Sequence, residues 1–184
     1  MDHSVGEATS KSSSQPALSS TEEEKLSWGP FVLTQENVTY AWEQLQQFPI
    51  VFDDYNKGNL RSFYDKLLDP RNIILDIGPG KGLAAGFMVR PKLDMVLHLV
   101  MYDRRIKGRE ATYREMMAYF FENLELRRMS AIIPEDARVS VKLVKRLGFQ
   151  HEGTIRQGIL RDGKYLDAYM YGILKEEFDA TPMA

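Results

Sequence analysis

The sequence predicts an α/β domain whose elements follow the order β-α-α-β-β-β-α-β-α-β-β. Two observations lead to this fold class. Stretches with apolar residues at helical spacing alternate along the chain with short apolar runs that are typical of strands. The C-terminal part holds two such runs joined by Asp162-Gly163, a dipeptide that favours a tight turn between antiparallel strands. At 184 residues, the chain is long enough for one domain with a real hydrophobic core.

Residues 1–25 differ in composition from the rest of the chain. They are rich in Ser, Glu and Lys and offer few apolar anchors. Such a segment cannot bury enough apolar surface to offset the entropy lost on ordering, so we expect a disordered tail. The alternative is a docking arm that becomes ordered on a protein partner. The folded domain is expected over residues 26–179.

Each predicted element follows from its own pattern. A first strand is expected in WGPFVLT, and two helices follow it, the second of which ends at Pro70. A longer helix turns Met116, Met117, Phe120 and Phe121 inward. In chain order, the expected strands cover 28–34, 72–77, 83–90, 94–103 and 128–133, with a closing hairpin over 148–174, and the expected helices cover 36–48, 59–69, 109–123 and 139–147.

The stretch LDIGPGKG, Leu75 through Gly82, permits two interpretations. A buried strand that runs into a glycine loop resembles the first motif of S-adenosylmethionine-dependent methyltransferases, and Asp103 lies where their ribose-binding acid would be. That motif needs a full helix after the glycines, but the stretch before Pro91 is short and contains Gly86. We therefore expect a β-hairpin at Gly78–Gly82.

Composition excludes several classes of function. The chain has no cysteine, which removes disulfides, a thiol nucleophile and thiolate metal sites, and its three histidines show no ligand spacing, so no metal is expected. The net charge of -2 gives no direct sign of nucleic-acid binding. No run approaches the roughly 20 apolar residues of a membrane helix, and the N-terminus lacks the apolar core of a signal peptide. A cytoplasmic protein is the expectation.

Two stretches resemble the GCN5-related N-acetyltransferase superfamily. The run DRRIKG, residues 103–108, has an Arg three residues before a Gly, as in that family's acyl-CoA signature. The end of the chain is most like the branch that acetylates ribosomal-protein N-termini and small amines. The features that match there are Ser140, Leu147-Gly148-Phe149, Glu152-Gly153, Asp162-Gly163, Asp167, Tyr171 and the Leu-Lys-Glu-Glu-Phe that ends at Phe178.

The resemblance, which covers about Phe31 to Phe178, implies a fold and a co-substrate. The fold is a mixed, mostly antiparallel sheet of six to seven strands, flanked by helices and splayed at its centre to admit acetyl-CoA. A pyrophosphate needs N–H donors and positive charge, which a helix N-terminus with basic neighbours supplies. A solvated basic turn is the alternative. The expected cofactor-binding residues are Val100, Met101, Tyr102, Arg104, Arg105, Ile106, Lys107, Gly108, Arg109, Glu110 and Ser140.

Three positions depart from the family pattern. Glu110 stands where a small residue is usual, and a carboxylate beside a pyrophosphate is expected to reduce affinity for the cofactor. Ala137 replaces a common Asn. Val144 replaces the Tyr that often acts as general acid. The catalytic equipment that the family usually carries is therefore incomplete in this sequence.

Amine acetylation needs a base for the amine proton and an acid for the leaving thiolate. His98, on the strand expected to approach the thioester, is the first candidate base, and a core histidine is the equal alternative. Glu152 is a second candidate base, although a surface carboxylate is the more common role. Tyr102 is the candidate acid. The candidate acceptor-binding residues are Asp54, Tyr55, Asp167 and Tyr171.

The favoured function is N-acetyl transfer from acetyl-CoA to a primary amine, on a protein N-terminus, a lysine or a small molecule. The principal alternative is a catalytically degenerate member of the family that serves binding or assembly, with residues 1–25 docking a protein partner. A methyltransferase is a distant third. A homodimer through the last strand is a further expectation from the resemblance.

Overall fold

The computed structural model describes residues 26–103 and 105–181, so the predicted tail and Arg104 lie outside the described residues. The predicted element order is present, with a 3-10 turn at Pro49–Val51 and a C-terminal helix in addition. The strands are β1 (Trp28–Pro30), β2 (Ile73–Ile77), β3 (Gly82–Arg90), β4 (Asp94–Met101), β5 (Arg128–Pro134), β6 (Gln150–Arg161) and β7 (Lys164–Leu174). The helices are α1 (Gln35–Gln46), α2 (Leu60–Leu68), α3 (Arg109–Asn123), α4 (Arg138–Arg146) and α5 (Lys175–Ala180).

The strands form one seven-stranded sheet in the order β1-β2-β3-β4-β5-β7-β6. Every neighbouring pair is antiparallel except β4 and β5, which run parallel. This architecture confirms the expected mixed, mostly antiparallel sheet flanked by helices. Within the described residues, no helix is long and apolar enough to cross a membrane.

The sheet opens between its two central strands. β4 pairs with β3 from Asp94 to Met101, with one bulge in β3 between Phe87 and Arg90. Its pairing with β5 is confined, among the described residues, to three positions that end at Val96 and Ser130. Beyond that point β5 pairs only with β7, so the other edge of β4 faces a gap. Backbone N–H and C=O groups along this edge remain available to a bound molecule.

The glycines of LDIGPGKG form a turn between β2 and β3, as expected. Gly78 and Gly80 both have positive φ, 50° and 74°, which glycine adopts without steric cost. The Asp76 carboxylate accepts a hydrogen bond from the Gly80 N–H at 3.1 Å, and the Tyr40 hydroxyl donates to the Gly80 carbonyl at 3.0 Å. No helix follows the turn, because Gly82–Arg90 is a strand. The methyltransferase interpretation is therefore wrong.

Two hydrophobic clusters hold the helices against the sheet. The larger one contains the predicted inward face of α3, where Met116, Met117, Phe120 and Phe121 are at most 1% exposed. The smaller one gathers Ala41, Leu45, Phe52 and Leu83 beneath α1. Methionine is prominent in the core, because Met95, Met101 and Met129 are buried beside the two methionines of α3.

Candidate functional site

A cavity of about 130 Å³ lies beside the end of β4, where that strand has left β5. Leu99, Val100 and Met101 of β4 line one side of it, and Ile50 and Val51 of the 3-10 turn lie above. The cavity therefore has apolar walls and an exposed strand edge, which suits a narrow molecule with amide groups along an apolar chain.

Two helices complete the cavity with polar groups. Arg109 and Tyr113 come from α3, and Ser140 and Arg146 come from α4. Four of the predicted cofactor-binding residues thus line one cavity: Val100, Met101, Arg109 and Ser140.

The loop between β4 and α3 is shaped by Gly108. This residue caps α3 with a left-handed backbone, φ 72°, and its carbonyl accepts hydrogen bonds from the Thr112 N–H at 3.0 Å and hydroxyl at 2.9 Å. A side chain at this position would be strained, so the close turn into α3 depends on glycine. The N-terminus of α3 therefore lies beside the cavity that Arg109 lines.

The other predicted loop residues lie around this turn. Arg105 is exposed and pairs with Asp103, and its guanidinium is the largest cause that lowers the pKa of the Asp103 carboxyl. Lys107 is exposed, and Ile106 packs against the larger hydrophobic cluster. The loop therefore presents cationic side chains to solvent while it is anchored by one apolar residue.

Glu110 is held by an arginine that the sequence did not single out. The Arg146 guanidinium donates two hydrogen bonds to its carboxylate, at 2.7 and 3.0 Å, across 36 residues of sequence. The pair joins the first turn of α3 to the last turn of α4. The expected repulsion between Glu110 and a bound pyrophosphate is thus balanced in part by Arg146.

Tyr113 is a second residue that the sequence did not single out. It is 2% exposed and lines the cavity. Desolvation is the main cause that raises the pKa of the hydroxyl to about 12, Arg109 acts in the opposite direction, and Glu110 adds to the increase. The hydroxyl therefore remains protonated and can donate a hydrogen bond to a molecule in the cavity.

His98 lies in the middle of β4, opposite Ala85 of β3, with its ring 4.7 Å from the ring of Phe87. Desolvation by the surrounding protein lowers the pKa of the imidazole, and the nearby cation of Lys66 lowers it further. The side chain keeps solvent-exposed surface, so its desolvation is incomplete. The imidazole is neutral near pH 7 and accessible, rather than enclosed in the core.

Of the other two candidate catalytic residues, Glu152 is in an ion pair and Tyr102 has a buried hydroxyl. The Glu152 carboxylate forms an ion pair with Arg128 at 2.6 Å. The Tyr102 side chain packs under α1, 6.1 Å from the Tyr40 ring, and its buried hydroxyl lacks a hydrogen-bond partner in the part of the chain that is described. Burial raises the pKa of that hydroxyl, with Asp76 and Tyr40 adding to the increase. Unlike its neighbours in sequence, Tyr102 does not line the cavity.

The candidate acceptor-binding residues are dispersed. Both oxygens of Asp54 accept hydrogen bonds from the turn between β6 and β7, from Asp162 N–H at 2.7 Å and Gly163 N–H at 2.9 Å. The Gly163 bond is the largest cause that lowers the pKa of Asp54. Tyr55 beside it is 77% exposed.

The remaining two lie on β7. The Asp167 carboxylate accepts a hydrogen bond from the Gln157 N–H at 2.8 Å. Tyr171 is 4% exposed and belongs to the larger hydrophobic cluster, with its ring 5.3 Å from the ring of His151. The structure does not bring Asp54, Tyr55, Asp167 and Tyr171 together around the cavity, and their predicted acceptor role stays a prediction.

Arg161 anchors the segment from Ile50 to Phe52, part of which lines the cavity, through hydrogen bonds. Its side chain is 9% exposed and donates to the carbonyls of Ile50 at 3.1 Å and Phe52 at 3.3 Å. Two further bonds reach the Asp136 carboxylate at 2.8 and 2.9 Å. Arg161 thereby holds the 3-10 turn, whose residues Ile50 and Val51 line the cavity.

A second cavity, of about 480 Å³, lies at the other end of β4. Val96 and Ser130, the last paired residues before the two central strands separate, contribute to its lining. The ion pair of Arg90 with Asp94 borders it. Neither cavity contains a metal-binding cluster, since none occurs among the described residues.

Known proteins resemble this chain in sequence over a limited segment. No family model matches it. An uncharacterized N-acetyltransferase of Bacillus licheniformis, p20, is 34% identical over 65 residues, which are 35% of this chain and 36% of that protein. YdaF of Bacillus subtilis, named as a candidate ribosomal N-acetyltransferase, is 33% identical over 69 residues, 38% of each chain. The match thus spans little more than a third of the length of these curated relatives.

Solved structures resemble the chain over most of its length. A spermidine N-acetyltransferase from Vibrio cholerae in complex with CoA and spermine has a TM-score of 0.64, with 14% identity over 84% of this chain and 98% of that one. A crystal structure assigned as an acetyltransferase has a TM-score of 0.66, with 20% identity over 84% and 95% of the two chains. At such identities the likeness concerns the fold alone. The chain thus has the fold of acetyltransferase structures, and about a third of its length matches proteins named as N-acetyltransferases.

Proposed function

We propose that this protein transfers an acetyl group from acetyl-CoA to a primary amine. One observation carries the proposal: the cavity beside the splayed edge of β4 adjoins the left-handed Gly108 and the N-terminus of α3. A thioester with a pantetheine arm and a pyrophosphate has the chemistry that this arrangement suits. Its amides can pair with a strand edge, and its phosphates can accept hydrogen bonds from helix N–H groups.

The residues present fit acetyl-CoA. The β4 edge near Val100 and Met101 would hold the pantetheine amides, and Ser140 and Tyr113 offer hydroxyl groups along the cavity. Arg109 and the turn at Gly108 would hold the pyrophosphate. Acetyl-CoA supplies an activated thioester, so the protein needs no covalent nucleophile, in keeping with the absence of cysteine.

His98 is the proposed base for the acceptor amine. In the reaction the neutral amine attacks the thioester carbonyl, a C–N bond forms, the C–S bond breaks, and the amine loses a proton as CoA leaves. The lowered pKa keeps the His98 imidazole neutral and able to accept a proton near pH 7. Glu152 is less suited, since its carboxylate would first have to leave Arg128.

The acceptor is proposed to be an amine on a protein N-terminus, a lysine or a small molecule. The named relatives include a candidate ribosomal acetyltransferase, and a structural neighbour was solved with spermine. Within this chain, Asp54 is committed to the β6–β7 turn and Asp65 pairs with Arg61. This engagement of acidic groups favours an acceptor with one amine over a polycation such as spermidine.

Binding and turnover test the proposal together. Saturating acetyl-CoA, at about 100 times its dissociation constant, is expected to stabilise the fold by about 2.7 kcal/mol in thermal unfolding, and S-adenosylmethionine is expected to have no effect. With an accepted amine, thiol release should follow.

His98→Ala is expected to lower kcat by about 10²- to 10⁴-fold at unchanged unfolding temperature, and Glu152→Gln by much less. Equal loss in both variants would overturn the assignment of His98.

A binding or assembly role remains the second candidate, and Val144 favours it, because this position in α4 lacks a hydroxyl that could protonate the leaving thiolate. Such a protein would bind acetyl-CoA without thiol release with any amine, and His98→Ala would then change nothing. A homodimer, and docking of the tail on a protein partner, are further proposals that size measurement and deletion of residues 1–25 would test.

A further inference from the structure

Arg146 lines the cavity and is also paired with Glu110. The Nε and Nη2 groups of its guanidinium donate hydrogen bonds to the Glu110 carboxylate. Glu110 follows Arg109 in the first turn of α3, next to the proposed pyrophosphate site. The ion pair thus lies between the two helices that border the cavity.

This ion pair is easy to open. The Arg146 side chain is 51% exposed and the Glu110 side chain 40% exposed, and pairs with that much solvent contact contribute little to stability. A phosphate offers arginine the same planar, two-point recognition as a carboxylate, with charge-assisted hydrogen bonds. A phosphate group arriving beside α3 can therefore compete with Glu110 for Arg146.

We infer that Arg146 binds a phosphate of acyl-CoA, and that the Glu110 carboxylate competes with this phosphate for the guanidinium. The inference rests on the proposed function, because it needs acyl-CoA in this cavity. Glu110 thus weakens the binding of phosphate-bearing donors by occupying Arg146 and by placing a negative charge near the pyrophosphate. Because of Glu110, the site has a lower affinity for acyl-CoA than its two arginines and two hydroxyl groups would otherwise give it. These groups belong to Arg109, Tyr113, Ser140 and Arg146.

A second observation ties this pair to a ligand in the cavity. Tyr113 is 2% exposed, lines the same cavity and lies three residues after Glu110 in α3, so the two residues are on neighbouring turns of the same helix face. Glu110 is thus close to the cavity lining as well as to Arg146, in keeping with its small share in the raised pKa of Tyr113, which burial mainly causes.

The test compares two donors that differ in phosphate. In Glu110→Gln the dissociation constant for acetyl-CoA, measured by calorimetry at low salt, is expected to fall roughly fivefold, as removal of one nearby like charge predicts. The constant for S-acetylpantetheine, which has no phosphate, should stay unchanged. Adding Arg146→Gln should remove the gain. Glu122→Gln, at the exposed far end of α3, is the matched control and should have no effect.

Two results would overturn the inference. Unchanged or weaker binding of acetyl-CoA to Glu110→Gln would mean that Glu110 positions Arg146 instead of competing for it. Equal gains for both donors would mean that the pair shapes the cavity and does not compete with phosphate. If the unaltered protein binds neither donor, the proposed function itself fails, which is a distinct outcome.

Discussion

Gly82 lies where the first residue of β3 meets the last residue of β4. A Cβ atom here would come within 2.5 Å of the Val100 carbonyl oxygen and 3.2 Å of the Met101 Cα, both of them backbone atoms. Backbone atoms cannot move aside as a side chain can. This position therefore needs glycine for close approach, and the sequence motif that suggested a nucleotide loop has a packing cause.

Gly82→Ala is expected to destabilise the fold by about 2 kcal/mol or more, since overpacking against backbone forces the strands apart. Urea unfolding measures the loss. Gly29→Ala is the matched control, because no atom lies within 4 Å of a Cβ at Gly29, and it should be close to neutral. Equal stability of the two variants would contradict this account of the turn.

Some of the residues that line the cavity could be predicted from the sequence, and others could not. Val100, Met101, Arg109 and Ser140 were predicted from the resemblance to an acetyltransferase family, and all four line the cavity. Arg146 was missed, since its partner Glu110 is 36 residues away and no local pattern records the contact.

At the level of elements, hydrogen bonds and an ion pair connect the loop after α1 to the turn between β6 and β7. Asp54 accepts two N–H groups of the turn, Lys57 pairs with Asp162, and Arg161 reaches back to the carbonyls of Ile50 and Phe52. Because Ile50 lines the cavity, the geometry of a distant hairpin determines part of its wall.

Arg161→Met is expected to cost about 2 to 4 kcal/mol, because it leaves buried carbonyls unpaired and one carboxylate without its partner. It should also raise KM for acetyl-CoA more than it lowers kcat, since the 3-10 turn loses its anchor. Asp136→Asn keeps the bonds of Arg161 to the carbonyls and should cost about 1 kcal/mol. Calorimetric unfolding and initial rates give both values, and an unchanged KM would contradict the anchoring role.

Elements with a clear repeat were predicted well, whereas the ends of several others were not. The helix over 109–123 was predicted with the bounds that the structure has. The first strand stops at Pro30, earlier than predicted, because Thr34 accepts the Asn37 N–H and begins α1. The short helix α5 was not predicted, since its six residues are too few to show a repeat. The spacing of apolar residues predicts which face of an element is buried. It does not predict the residue at which a cap or a tertiary contact ends the element.

For the whole molecule, topology determines the site. In residues 26–103 and 105–181, five of the six strand pairings are antiparallel, and the parallel pairing of β4 with β5 separates after three residue pairs. The helices α3 and α4 meet beside this opening and supply the polar lining. The sequence could indicate the order of elements, but the opening depends on pairing between strands that are far apart in the chain.

The free energy of unfolding of the whole molecule should fall in two steps as the pH is lowered. The native pKa of His98 is lowered, so the unfolded chain binds a proton near pH 6.5 that the native state resists, and stability declines as pH falls below about 6.5. The native pKa values of Asp54, Asp69 and Asp103 are also lowered, so their contribution is present above pH 3.8 and lost as pH falls through their native values.

Thermal unfolding between pH 8 and pH 2 checks both steps. His98→Gln should abolish the first step and leave the second. Asp69→Asn should reduce the second step alone, because the Asp69 carboxyl pairs with Arg71 and has a pKa of about 2. A first step that persists in His98→Gln would show that another group titrates there.

The methionine-rich core gives the protein a graded response to oxidants. Met95, Met101, Met116, Met117 and Met129 are 0–7% exposed, whereas Met88 is 57% exposed at the bulge of β3. Peroxide converts an accessible thioether to a sulfoxide, and such a polar group inside a core disrupts packing. Met88 would therefore be oxidised first and at little cost to the fold. The buried sulfurs would react only when the sheet opens, so oxidative damage to this protein would be governed by how often it unfolds locally.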